Sequence, residues 1–244
     1  MGESARAADV NGQPSRRQPT FPRVIAVDGS AASGKSTIGR LLAARLGYAF
    51  LDTGVMYRAV TWAALDRSID LHDARALADL AASARMDVDL PEPGSPNESR
   101  VKVDGRDVTS ELRLAEVEAA VSIVSRVPGV REAMVTLQRQ IASRQPMVIA
   151  GRDIGTVVLP HADLKVYLDA SPEERARRRH QEFLAQERDV TEEIVLEDLR
   201  RRDRIDSERA VSPLRPARDA VIVNTDGLSQ EEVLERVADL VEAA

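Results

Sequence analysis

The sequence predicts an α/β protein in which a parallel sheet is covered by helices on both faces and carries a small antiparallel β insert. Three observations support this fold class: several short strands that are apolar throughout, helical segments that alternate with them, and one stretch of alternating polarity around Asp104-Gly105. Fully apolar strands are typical of sheets buried on both faces, whereas alternating strands are typical of half-exposed antiparallel sheets.

The first strand and helix surround a glycine-rich turn. Residues 23–28, RVIAVD, form a β-branched apolar run typical of a buried parallel strand. The sequence STIGRLLAARL at residues 36–46 follows the turn and has helical spacing of its apolar positions, and Gly47 ends the helix. The next predicted elements are a strand at residues 48–52 and helices at about residues 55–65 and 73–83.

The pattern changes in the middle of the chain. Residues 86–90 alternate apolar and polar side chains, and RVKVDGRDVT at residues 100–109 has two alternating arms around Asp104-Gly105, a strong hairpin signal. We therefore expect an antiparallel insert at about residues 85–110, between two parts of the core at residues 21–84 and 145–244.

The second half returns to the alternation of helices and strands. A helix is expected to begin at Ser171, because this serine can cap it, proline follows at the first helical position, and Glu174 stands three residues on. The other predicted helices are at about residues 110–125, 128–143 and 191–209, and the apolar strands are MVIAG at 147–151, LKVYLD at 164–169 and AVIVNT at 220–225.

Composition excludes several functional classes. The 244 residues are 43% hydrophobic and carry a net charge of −6, with only 3% aromatic residues, which argues against a nucleic-acid partner. No apolar run approaches the ~20 residues of a membrane span, and the absence of cysteine is typical of the cytoplasm. We expect a cytoplasmic monomer without a membrane partner. Residues 1–20 are expected to form a disordered tail before the folded domain.

The glycine-rich turn has the pattern of a P-loop, Gly29-x-x-x-x-Gly34-Lys35-Ser36. The glycines let successive backbone N–H groups point at phosphate oxygens, and the following helix adds its positive N-terminus. Lys35 would reach the β- and γ-phosphates, and the Ser36 hydroxyl would bind Mg²⁺. The sequence thus predicts a P-loop NTPase core whose ATP-binding residues are Gly29, Ser30, Ala31, Ala32, Ser33, Gly34, Lys35, Ser36 and Thr37.

Further candidate residues follow the predicted strands. DTGVMYR, which ends at Arg58, and GRDIGT, which contains Arg152, stand at carboxyl ends of strands, where α/β proteins bind ligands. Asp52 either helps to order Mg²⁺ through water or is only a strand-end residue.

Two predicted helices are rich in arginine. Arg175, Arg178 and Arg179 share one face of the first, and Arg202, Asp206 and Arg209 are aligned on the second. Such faces are commonly solvated and salt-bridged, but beside a P-loop they favour stabilisation of a transferring phosphate.

Taken together, these motifs resemble those of bacterial cytidylate kinases. The resemblance extends from about Val24 to the C-terminus, in the order GSAASGKST, DTGVMYR, the hairpin, VSIVSRVPGVRE, AGRDIGTVVLP, LDASPEERARRR and ERAVSPL. It implies the nucleoside-monophosphate kinase fold, with a core, an acceptor-binding insert and a helical lid at about residues 175–190. It also implies transfer of the γ-phosphate of ATP to CMP or dCMP, with Mg²⁺.

The resemblance also implies roles for individual residues. The CMP phosphate would be held by Thr53, Arg58 and Arg152, and the cytosine read by Ser122, Arg131 and Asp153. The ribose side would be contacted by Arg202, Asp206 and Arg209, and lid arginines Arg175, Arg178 and Arg179 would close over the transferring phosphate, with Lys35 and Arg152 among the catalytic residues.

The chemistry of these residues is consistent with cytosine. Asp153 would accept a hydrogen bond from the N4 amino group and Arg131 would donate to the acceptor edge, whereas uracil presents an oxygen to the carboxylate and leaves it unpaired. Two alternatives remain at this point. One is a kinase of the same architecture acting on AMP, UMP, dTMP or shikimate, and the other is a regulatory protein that binds ATP without transferring phosphate.

Overall fold

The computed structural model describes residues 21–95 and 97–244, so the predicted tail at residues 1–20 lies outside the described residues. The strands are β1 (Val24–Gly29), β2 (Ala49–Asp52), β3 (Met86–Asp89), β4 (Arg100–Val103), β5 (Arg106–Asp107), β6 (Met147–Gly151), β7 (Leu164–Asp169) and β8 (Val221–Asn224). The helices are α1 (Lys35–Leu46), α2 (Gly54–Asp66), α3 (Ala74–Ser83), α4 (Ala115–Ser125), α5 (Pro128–Ala142), α6 (Pro172–Ala185), α7 (Glu192–Ser207) and α8 (Gln230–Glu242).

Five strands form one parallel sheet in the order β2-β6-β1-β7-β8. At its centre, Val27 of β1 lies opposite Ala150 of β6 and Val166 of β7. The carboxyl ends of β1, β2 and β6 therefore meet at one edge, and the segments that follow Gly29, Asp52 and Gly151 converge there.

Helices cover both faces of this sheet, which confirms the predicted fold class. On one face, Val27 packs in an apolar cluster with Leu42 of α1 and Val237 of α8. On the other face, Ala26 belongs to a larger cluster that includes Met56 of α2 and Met134 of α5. Neighbouring residues of β1 belong to clusters on opposite faces of the sheet. Both must therefore be apolar, as the apolar run at residues 23–28 indicated.

The antiparallel insert is also confirmed. Strands β3, β4 and β5 form a three-stranded sheet, and Asp104 and Gly105 at the hairpin turn both have positive φ, 50° and 84°. Val101 and Val103 of β4 are buried in the same apolar cluster as Met56 of α2. The insert is thus packed onto the core through its apolar face.

The structure differs from the predicted elements in four places. The helix expected at residues 110–125 is broken, because Leu114 is extended (ψ 140°) between a 3₁₀ turn and α4. Helix α7 ends at Ser207, so Arg209 lies beyond it. Strand β8 is an edge strand, which leaves Ile222 57% exposed. Helix α8 was not predicted, although Ser229 and Glu232 form a capping box at its start.

None of the helices in the described part of the chain is both long and apolar enough to cross a membrane.

Candidate active site

A cavity of about 860 Å³ opens at the edge of the sheet where the strands end, and it brings most of the predicted site residues together. Gly29, Ser30 and Arg175 do not line it. The predicted residues that do are Ala31, Ala32, Ser33, Gly34, Lys35, Ser36, Thr37, Thr53, Arg58, Ser122, Arg131, Arg152, Asp153, Arg178, Arg179, Arg202, Asp206 and Arg209.

The phosphate loop forms one side of the cavity. Gly34 has a left-handed backbone (φ 87°), from which α1 begins at Lys35 with its free N–H groups facing the loop. A Cβ at Gly29 would lie 2.5 Å from the carbonyl oxygen of Leu168, so no side chain fits there. The hydroxyl of Ser33 is buried and has no hydrogen-bond partner among the described residues. The loop therefore has both the shape and the unused donors that a polyphosphate requires.

Lys35 lies at the floor of the loop. Its ammonium group donates to the carbonyl oxygen of Ser30 at 2.9 Å, and the side chain is buried. Burial lowers the pKa of Lys35 well below its usual value, and the nearby charge of Arg152 lowers this pKa further. An anion in the cavity would supply the counter-charge that this buried cation needs.

Two oxygen-bearing side chains, those of Ser36 and Asp52, are in contact beside the loop. The Ser36 hydroxyl donates to the carboxylate of Asp52 at 2.8 Å, and the other oxygen of Asp52 accepts the N–H of Gly54 at 2.9 Å. Hydroxyl and carboxylate oxygens are ligands that Mg²⁺ prefers, so these residues fit the ion. The described residues contain no cluster of three or more acidic, histidine or cysteine side chains that would bind a metal by themselves.

Arginines form the opposite side of the cavity. Arg152, at the end of β6, donates to Asp206 at 2.9 Å and to the carbonyl oxygen of Gly29 at 3.4 Å. Burial raises the pKa of Asp206, but Arg152 and Arg209 lower it more, and the net shift is downward. The carboxylate is therefore ionised and fixes the two guanidinium groups in place.

Two guanidinium nitrogens on this side make no hydrogen bond to the described residues. Nε of Arg202 and Nη2 of Arg209 are buried without a hydrogen-bond partner among the described residues. Burial lowers the pKa of Arg202, and the charge of Arg152 lowers it further. Buried donors of this kind favour an anionic ligand, because an unpaired buried charge is costly.

A buried ion pair lies deeper in the cavity. Arg131 of α5 donates to Asp153 and, at 3.2 Å, to the carbonyl oxygen of Ser125. The guanidinium of Arg131 lies 5.2 Å from the ring centre of Tyr57, and burial raises the pKa of Tyr57 to about 12. Ser122 lines the same region. These groups offer both donors and an acceptor to a planar polar ligand.

Helix α6, which the sequence analysis expects to be part of a lid, forms a further side of the cavity. Arg178 donates to Glu174 at 2.8 Å and to the hydroxyl of Thr225 at 3.0 Å. Arg179 donates to Glu118 of α4 at 2.6 Å. Both arginines line the cavity as predicted, but each is held by a neighbouring side chain in this conformation.

The predicted role of Arg175 needs correction. This side chain is only 3% exposed, and it donates to the carbonyl oxygen of Ala31 at 3.1 Å and to Asp203 of α7 at 2.7 Å. Because the first turn of α6 packs beneath the phosphate loop, Arg175 fastens that loop to α7 and does not face the cavity.

The sequence interpretation also missed residues that line the cavity. Arg177 lies on α6, but the sequence analysis considered only the opposite face of this helix, which carries Arg175, Arg178 and Arg179. Arg188 lies just after the same helix. Glu118 lies on α4 four residues before Ser122, and no motif marked it. Their places depend on how α4 and α6 pack, which the spacing of residues does not reveal.

A parallel sheet with a P-loop facing an arginine-lined pocket defines a P-loop phosphotransferase. The family model for cytidylate kinase matches residues 25–243, and the chain belongs to the cytidylate kinase family.

Similar proteins support this assignment over nearly the whole chain. The cytidylate kinase of Herpetosiphon aurantiacus is 48% identical over 222 residues, which are 91% of this chain and 95% of the relative. That of Geobacillus kaustophilus is 49% identical over 89% of this chain and 95% of the relative. That of Pelotomaculum thermopropionicum is 46% identical over 92% and 97%. The solved shikimate kinase of Acinetobacter baumannii is 18% identical, covers 92% of this chain and 94% of its own, and has a TM-score of 0.46, too low to bear on the site.

Proposed function

We propose that this protein transfers the γ-phosphate of ATP to CMP or dCMP, giving ADP and CDP or dCDP. The observation that carries the proposal is the single cavity in which the P-loop faces Arg58, Arg152 and the buried pair Arg131–Asp153. Two phosphate-binding sides in one cavity suit a donor and an acceptor that react directly.

ATP is proposed to bind with its phosphates in the P-loop. Backbone N–H groups at the start of α1 and the ammonium of Lys35 would surround the β- and γ-phosphates. Ser36, with Asp52 behind it at 2.8 Å, would hold Mg²⁺. When bound, this ion would neutralise charge on the phosphates.

CMP is proposed to bind on the arginine side. Thr53, Arg58 and Arg152 would hold its phosphate, and Arg202, Asp206 and Arg209 would lie at its ribose. The carboxylate of Asp153 would accept from cytosine N4 while Arg131 donates to the acceptor edge of the base, with Ser122 beside them. The Arg131–Asp153 pair supports this arrangement, since each group keeps the other oriented until the base arrives.

In the transfer itself, an oxygen of the CMP phosphate forms a bond to the γ-phosphorus, and the bond between that phosphorus and the bridging oxygen of ADP breaks. The nucleophile is already an anion, so no general base is required. The contribution of the protein is positioning and neutralisation of charge by Lys35, Arg152, Arg178 and Arg179. Arg175 is proposed to act through the loop that it supports.

We also propose that the protein is a monomer. Location in the cytoplasm remains a proposal as well.

The decisive experiment is an acceptor panel. Release of ADP is measured with CMP, dCMP, UMP, AMP, dTMP and shikimate, each at saturating ATP. We expect kcat/KM for CMP or dCMP to exceed that for UMP by at least about ten-fold, because cytosine offers the carboxylate of Asp153 an amino donor whereas uracil places an acceptor oxygen against it. A higher kcat/KM for UMP, AMP, dTMP or shikimate than for CMP and dCMP would show that this other compound is the acceptor. Binding of ATP without turnover on any acceptor would favour a regulatory protein.

A further inference from the structure

Asp28 is a buried acidic side chain that the transfer reaction does not use. It lies at the end of β1, directly before the P-loop, and is 4% exposed. Its two carboxylate oxygens accept the backbone N–H groups of Ile154 at 2.8 Å and of Gly155 at 2.7 Å. One carboxylate thus binds two consecutive N–H groups of a segment 126 residues further along the chain.

The bound segment directly follows Arg152 and Asp153, which we place at the phosphate and the base of the acceptor. Its packing leaves little freedom. A Cβ at Gly151 would lie 2.6 Å from Cδ1 of Ile154, and a Cβ at Gly155 would lie 3.3 Å from Oδ2 of Asp28. The carboxylate therefore holds the backbone at the place that determines where both acceptor-binding side chains point.

The same aspartate also connects the two sides of the cavity. The residue after it, Gly29, begins the P-loop, and the carbonyl oxygen of Gly29 accepts from Arg152 at 3.4 Å. We propose that Asp28 is a positioning residue that sets Arg152 and Asp153 relative to the P-loop, and so determines the affinity for the acceptor and the preference for its base. This inference rests on the proposed function.

The charges around Asp28 make its protonation state relevant. Burial raises the pKa of Asp28 to about 6, and the negative charge of Asp153 also raises it, whereas the two N–H groups and the charge of Lys35 lower it. Tyr167 of β7 and the stem of Lys165, which packs against Gly155, lie nearby. Above pH 6 both oxygens of Asp28 accept hydrogen bonds. Below pH 6 one of them carries a proton, and the hydrogen bonds from Ile154 and Gly155 weaken.

The first test is the variant Asp28→Asn, which keeps the shape but offers one acceptor and one donor, so one of the two N–H groups loses its partner. We expect KM for CMP to rise about ten-fold, equivalent to about 1.4 kcal/mol, with KM for ATP unchanged. We also expect the ratio of kcat/KM between CMP and UMP to fall.

The matched control is Asp73→Asn. Asp73 also accepts two backbone N–H groups close in sequence, those of Arg75 and Ala76, both at 3.0 Å, but it is exposed at the start of α3. The control should leave both KM values unchanged. Equal rises in the KM for ATP and CMP in Asp28→Asn, or no change in either, would overturn the proposal.

A second measurement uses the unmodified protein and does not depend on the variant folding. Hydrogen exchange of residues 151–158, corrected for the intrinsic rate, is followed from pH 7 to pH 5. The two N–H groups lower the pKa of Asp28, so protonation favours a local opening that breaks these hydrogen bonds while the carboxyl group stays buried. We therefore expect protection of these amides to fall about ten-fold between pH 7 and pH 5, and equal or higher protection at pH 5 would overturn the proposal. This measurement needs no acceptor. The acceptor panel can therefore contradict the proposed function while hydrogen exchange supports the role of Asp28, and hydrogen exchange can contradict that role while the panel supports the function.

Discussion

At the scale of single residues, Lys35 shows how the site is prepared for its ligand. Its ammonium is buried, its pKa is lowered by burial and by the charge of Arg152, and it donates to the backbone carbonyl of Ser30. A neutral carbonyl compensates a buried positive charge only in part. The γ-phosphate of ATP would complete the compensation, and it would do so most strongly as negative charge develops during transfer.

We therefore expect Lys35→Ala to lower kcat by about 10²–10³-fold, the loss found when one preorganised donor is removed from a transition state. The fold should survive, because the change removes a buried charge and leaves no buried acid without its partner. Lys102→Ala is the control, since Lys102 lies in the insert and pairs with Asp89 at 2.9 Å on the surface. Steady-state kinetics and thermal unfolding measure both variants, and a kcat for Lys35→Ala equal to that of the control would contradict this role.

At the scale of elements, helix α6 shows what the sequence can and cannot predict. Helical spacing predicted that Arg175, Arg178 and Arg179 share one face, and of these Arg178 and Arg179 line the cavity whereas Arg175 does not. It could not show that Asp203, which lies on α7, meets Arg175 beneath the P-loop, because the packing of α6 on α7 brings them together. By contrast, Arg58 and Arg152 were predictable, because residues that follow parallel strands converge at one edge of the sheet whatever the helices do.

Glu118 joins α4 to α6 and to the segment that follows α6. Its carboxylate accepts from Arg179 at 2.6 Å and from Arg188 at 3.4 Å, and both guanidinium groups lie over the ring of Phe183. Burial raises the pKa of Glu118, but the two arginines and Arg58 lower it more, so the carboxylate is ionised. Partly buried hydrogen bonds to a charged group contribute about 1.5–3 kcal/mol.

Removal of this charge should weaken the contact between α4 and α6. We expect Glu118→Gln to speed hydrogen exchange of residues 179–190 by about ten-fold without nucleotide. Glu116→Gln is the matched control, since Glu116 is an exposed glutamate on the same helix. The prediction is wrong if the two variants exchange at the same rate in this segment.

At the scale of the whole molecule, two large apolar clusters lie on opposite faces of one sheet, and a smaller third cluster joins Ala31 of the P-loop to α6 and α7. The site lies at the edge of the sheet. The family match covers residues 25–243, and every residue that lines the cavity lies between Ala31 and Val233. The start of β1 is tied into the sheet, because the N–H of Val24 binds Asp163 at 2.9 Å and the carbonyl of Arg23 accepts from Met147 at 2.9 Å. The part of the chain that supports the site thus begins near residue 23.

Deletion of residues 1–20 should therefore leave kcat and both KM values within about two-fold of the full chain. Deletion of residues 1–26 is the informative contrast, since it removes Arg23 and Val24 together with half of β1, whose neighbours β6 and β7 would lose their hydrogen-bond partners. We expect the longer deletion to lower Tm strongly or to prevent folding, because buried backbone groups would remain unpaired. A large loss of kcat/KM in the shorter deletion, with Tm unchanged, would instead show that residues 1–20 contribute to the active site.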